Sequence, residues 1–177
     1  MAFTPVRTLI LLGATIAVVS IGAVVHHENG DTAPARNPAG VVSFTGIEDV
    51  QFGTSSRELA RDHGMVRRPE DCGPTLPRLS LVTPVLVNDK LALLWVSPPV
   101  HTPEGITVGS PVSQVRSAYP QATEVSPPSL GQYPALLVSQ DDRAYLFLYS
   151  QDQVVRKLLV GYRDAVEQLY RSGADTC

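Results

Sequence analysis

The sequence predicts an α+β fold: two strand–helix–antiparallel-sheet repeats forming one sheet with short helices on one face, preceded by an amino-terminal hydrophobic export helix. Three observations carry this. A short pattern, E-x-[VI]-x-[FV]-G-[TS], occurs at Glu48–Thr54 and again at Glu104–Ser110, 56 residues later. Each copy is followed by a helix signal and then by apolar runs separated by tight polar turns. Ahead of both lies Thr8–Val25, 18 residues without a charge.

The chain has 177 residues, enough for one ordinary domain or two small ones. Its 44% apolar and 18% charged residues exclude a wholly disordered chain. A net charge of −3 with a pI near 5.7 argues against nucleic acid as a partner, which would need a basic face.

The first seven residues carry one charge, Arg7, and no acid. The uncharged run then ends at His26, His27 and Glu28, the order of an export signal. A signal core is usually ~7–15 residues and a membrane span about 20, so a run of 18 fits cleavage or anchoring. Cleavage would use the small-x-small site at Ala33–Ala35; anchoring would keep Arg7 on the cytoplasmic side. Either places residues 1–35 as signal or anchor, and the rest of the chain outside the cytoplasm, secreted or membrane-anchored. The membrane is then met only through the amino-terminal helix. His26, His27 and Glu28 read as a solvated flank, because a metal site needs three or four ligands in fixed geometry.

Residues 36–45 read as linker, 46–101 as the first repeat and 102–177 as the second. In the first, Val50 and Phe52 alternate with polar neighbours as in a short strand, and Gly53 turns out of it. Ser55-x-x-Glu58 fits a capping box for a helix that Gly64 stops after His63. Leu79–Val87 and Leu91–Val96, around Asn88-Asp89-Lys90, read as a hairpin. In the second, Ile106 and Val108 form the strand, Ser110 the cap, and Pro111 the first residue of a helix ending before Pro120. Ala135–Ser139, Tyr145–Ser150 and Val154–Val160 follow as strands, and Asp164–Arg171 makes a last helical turn or two. The two cysteines, Cys72 and Cys177, are expected to pair, because an even count in an exported chain usually means disulfides. Closing about 105 residues would contribute ~4.7 kcal/mol in the chain-entropy picture.

A glycine turn, a helix and an antiparallel sheet, carried twice by Phe52-Gly53-Thr54 and Val108-Gly109-Ser110, resembles the tandem repeats of secreted β-lactamase inhibitory proteins. Their single-repeat relatives are small outer-membrane lipoproteins that help assemble membrane proteins. The resemblance spans Val41 to Cys177 and implies a sheet surface that binds another protein, with no particular target. The inhibitory proteins have a disulfide within each repeat, whereas here one cysteine falls in each half.

Nothing in the sequence fixes a catalytic chemistry. There is no G-x-S-x-G, no phosphate-binding glycine loop and no H-E-x-x-H. No metal or cofactor is expected, and the chain is read as not an enzyme. His63 suits a helix carboxyl end. His101, in a proline-rich link near Ser97 and Glu104, is the one residue a hydrolase could use. Tyr145–Tyr149 is apolar on both sides of a strand, as is Leu91–Val96. With few short helices to cover it, one face made by Trp95, Tyr145, Phe147 and Tyr149 is expected to stay open and bind. The function expected is an extracytoplasmic protein-binding module, an inhibitor or envelope-assembly factor, with another extracytoplasmic protein as partner. The alternatives are a binder of small apolar ligands or lipid, and a hydrolase using His101.

Overall fold

The structure, a computed structural model, describes residues 37–68, 73–129 and 131–173. Cys72 and Cys177 lie outside these residues, as do Thr8–Val25 and the site at Ala33–Ala35. Over the described residues the fold is α+β, with two antiparallel sheets and three α-helices. Strands β1 (Val42–Ser43), β2 (Gly46–Ile47) and β3 (Val50–Gln51) make a small sheet. Helix α1 (Ser56–His63) follows, then a 3-10 turn at Pro77–Leu79 and the hairpin β4 (Val82–Val87) and β5 (Lys90–Val96). Next come α2 (Val112–Ala118), β6 (Thr123–Val125), β7 (Ala135–Gln140), β8 (Arg143–Tyr149) and β9 (Val155–Tyr162). Helix α3 (Arg163–Arg171) leaves β9 directly. The large sheet runs β4-β5-β9-β8-β7-β6, so β9 joins the first hairpin to the later strands. At the β4 edge, Pro84 has no N–H to offer an added strand.

Both glycine turns dock on a hairpin turn through the same three backbone bonds. Gly53 donates to the Leu91 carbonyl (2.8 Å), Leu91 to Thr54 (2.9 Å) and Ser56 to Asp89 (2.9 Å). Gly109 donates to Val155 (2.9 Å), Val155 to Ser110 (2.9 Å) and Val112 to Gln153 (2.9 Å). Asp89 and Gln153 both sit in the left-handed region, at φ 62 and 59. Leu59 of α1 and Val115 of α2, 56 residues apart, are both fully buried.

The copies differ where they enter their helices. Ser55 caps α1 and makes the reciprocal bonds with Glu58, and Gly64 ends the helix at φ 66. Ser110 does not cap α2: its hydroxyl accepts from the Thr107 N–H (3.0 Å), and Pro111 stands at the N-cap, one position earlier than expected. Ile106 and Val108 form no strand either. Ile106 donates its N–H to Thr102 Oγ1 (3.3 Å), so a side chain takes the bond that a ladder would have used.

The expectation of helices on one face is corrected. Leu59 of α1, Val112 and Val115 of α2 and Val42, Ile47 and Val50 of the small sheet pack on one face of the large sheet. Val166 and Tyr170 of α3 pack on the other. The molecule therefore has three layers, and its central strands are apolar on both sides because both sides are covered.

The candidate ligand cleft

Alternation along β8 sorts its residues between the two faces. Tyr145, Phe147 and Tyr149 point to the first face, and Leu146 and Leu148 to the second. Register carries the division across the sheet. Leu146 pairs with Leu159 and Leu159 with Trp95, whereas Phe147 pairs with Leu158 and Leu158 with Val96. Trp95 thus belongs with Leu146, not with the aromatic trio.

The aromatic face expected to be open is closed. Tyr145, Phe147 and Tyr149 are 1%, 0% and 4% exposed. Phe44 and Tyr119 close over them, with ring centroids 4.1 Å from Tyr145 and 5.8 Å from Phe147 respectively. The hydroxyls are satisfied inside the fold. Tyr145 donates to the Val42 carbonyl (3.3 Å), Tyr149 to Glu124 (2.6 Å), and Tyr119 to Glu104. Burial raises the Tyr119 and Tyr145 pKa values, and burial with the Glu124 bond pushes Tyr149 up to about 12. These residues form a core, and no partner can reach them.

The second face is only partly covered. Helix α3 lies across it, held by Val166 and by Tyr170, whose hydroxyl donates to the Tyr133 carbonyl (2.8 Å). Gly161 lets this corner close: a Cβ there would stand 2.3 Å from the Ala92 carbonyl oxygen of the adjoining strand. Beside α3 a cleft of about 190 Å³ remains. Its floor is Trp95, Leu146, Leu148 and Leu159, and its walls are Leu169 and Tyr170 of α3 and Gly131, Gln132 and Tyr133 of the loop before β7. Lys157 Nζ lies 5.5 Å from the centre of the Trp95 ring, within cation–π range. Two polar atoms of lining residues, Trp95 Nε1 and Gln132 Oε1, are buried with no hydrogen-bond partner among the described residues. Such atoms are uncommon in folded proteins and point to a site that something else completes.

Among the four expected binding residues, Trp95 alone reaches this cleft. Gln132, Tyr133, Leu169 and Tyr170 were not foreseen. Tyr170 had a sequence signal, its i, i+4 spacing from Val166; Gln132 sits in an irregular loop and had none. His101 lies away from this cleft. Its Nδ1 lies 3.1 Å from the Pro99 carbonyl, its backbone N–H bonds Gly40, and Glu104 is engaged by Tyr119. Among the described residues no cluster of three His, Cys, Asp or Glu could hold a metal ion, and no helix is long and apolar enough to cross a membrane.

No family model matches the chain, and no curated protein matches it in sequence. Among solved structures it is similar to an extracellular protein containing a SCP domain from Bacillus anthracis str. Ames, at 10% identity and a TM-score of 0.40. The alignment covers 65% of this chain and 45% of that one, so this chain spans less than half of that protein's length. A likeness of this size carries no argument about activity or compartment.

Proposed function

We propose that the protein is an extracytoplasmic binding module whose site is the cleft beside α3, and that its ligand is a small, largely apolar molecule. The observation that carries this is the cleft itself: a space beside α3 floored by Leu146, Leu148 and Leu159 and by the partly exposed Trp95, on a sheet whose other face is sealed. Its volume of about 190 Å³ suits a ring-sized group, since an apolar cavity of about 150 Å³ can hold benzene. That is below the ~300–1,000 Å³ of sites for larger ligands. The location outside the cytoplasm rests on the uncharged run Thr8–Val25. Trp95 is the sole tryptophan, so its emission reports on the cleft alone. Titrating the full-length protein with isopropylbenzene should change Trp95 emission saturably, and Leu148→Phe, which fills the floor without adding a second indole, should abolish the saturable change. An emission that drifts without saturating, or saturates equally in both proteins, would contradict this reading.

A further inference from the structure

We infer that the cleft selects a neutral ligand head that accepts one hydrogen bond and donates another, a primary carboxamide on an apolar group being the simplest case. This rests on the cleft reading above and adds a chemical class to it. Trp95 Nε1 can only donate, and Gln132 Oε1 can only accept. Both belong to residues that line the cleft, and among the described residues neither atom has a hydrogen-bond partner; both are shielded from solvent. Each loses its bonds to water without replacement, which disfavours this arrangement until a ligand supplies both partners. A carboxamide offers its carbonyl to Trp95 and its N–H to Gln132, while its apolar part rests on Leu146, Leu148 and Leu159. A carboxylate would be drawn to Lys157 of the lining, but it cannot donate, so it would leave Gln132 Oε1 facing a negative oxygen. An alkyl group satisfies neither atom. The amide orientation of Gln132 places Nε2 toward Gly173, where a Cβ would come within 2.7 Å of it, and leaves Oε1 as the acceptor. Because both atoms are shielded from solvent, a ligand engages them by displacing the Gln132 side chain, which hangs from a loop turned at Gly131 (φ 89).

The test uses the full-length ¹⁵N-labelled protein, whose one tryptophan gives one indole N–H resonance. Benzamide, benzoate and isopropylbenzene, similar in size, are titrated separately. The inference expects benzamide to bind at least about tenfold more tightly than either of the others, equivalent to about 1.4 kcal/mol. Benzamide alone should move the indole resonance downfield, and Gln132→Leu should erase its advantage while isopropylbenzene still binds. Isopropylbenzene binding as well as benzamide would overturn the inference and leave the cleft reading standing. Preference for benzoate would overturn it too, by showing that donors alone face the ligand. If Gln132→Leu shifts the indole resonance upfield without any ligand, the two side chains are each other's partners and the inference fails. Binding of none of the three would remove the cleft reading along with it.

Discussion

The two faces of the large sheet carry similar side chains and meet different fates. Leu94, Val96, Tyr145, Phe147, Leu158 and Val160 on the first are sealed under α1, α2 and the small sheet. Leu93, Trp95, Leu146, Leu148 and Leu159 on the second meet, among the described residues, α3 and the loop residues Gly131, Gln132 and Tyr133. Aromatic content therefore does not predict which face keeps a cleft. A strand that is apolar on both sides in the middle of a six-stranded sheet is first of all a strand between two layers.

The largest effect separating the faces should come from side-chain truncation. Phe147→Ala should cost ~3–5 kcal/mol in denaturant unfolding, as for any fully buried Phe. Leu148→Ala, on the floor of the cleft, should cost about 2 kcal/mol, the low end for a buried Leu, because the cleft already adjoins it. Equal losses would mean that the second face is packed as tightly as the first. Gly161→Ala should come next, at ~1–3 kcal/mol, because its Cβ must push the β5 backbone aside. Its loss should include the seating of α3, read as faster amide exchange across Val166–Tyr170; unchanged exchange there would show that the corner does not depend on this close approach. Ser55→Ala should cost about 1 kcal/mol, since it removes a capping box.

The smallest effect is a pH dependence. Tyr149 is held protonated up to about 12, above the ordinary range near 10. The unfolded chain ionises first, so the stability that Tyr149 contributes is fully present below about pH 10 and is lost as pH rises toward about 12. Tyr119 and Tyr145, also raised, steepen the fall. Tyr149→Phe should make it shallower, measured by urea midpoints between pH 9 and 11. An unchanged slope would place the Tyr149 hydroxyl in water, and the first face would then not be sealed at that edge.

Much of this architecture can be read from the residues. Ser55, Glu58 and Gly64 announce α1 because each acts locally, through a cap or a left-handed turn. The hairpin turns at Asn88-Asp89 and Asp141-Asp142 are legible for the same reason, being short and polar between apolar runs. What could not be read depends on register and on distant cover. Whether Trp95 lies with Leu146 or with Phe147 is set by how β5 and β8 each pair with β9, and a slip of one residue would exchange the faces. The strand expected at Ile106 failed because Thr102, outside the pattern, takes its N–H. Helix α3 was visible as a helix, but not as the layer over the second face, since two buried positions, Val166 and Tyr170, say little about what they meet.

The central claim is that ligand enters the second face and never the first, and methyl resonances test it most directly. Adjacent residues on one strand pair report opposite faces: Leu146 and Leu159 the second, Leu158 and Val160 the first. On titration of methyl-labelled protein with isopropylbenzene, the account predicts saturable shifts at Leu146, Leu148 and Leu159, with Leu158, Val160 and Leu136 unmoved. Shifts at Leu158, Val160 and Leu136, or none at any of the six, would contradict it.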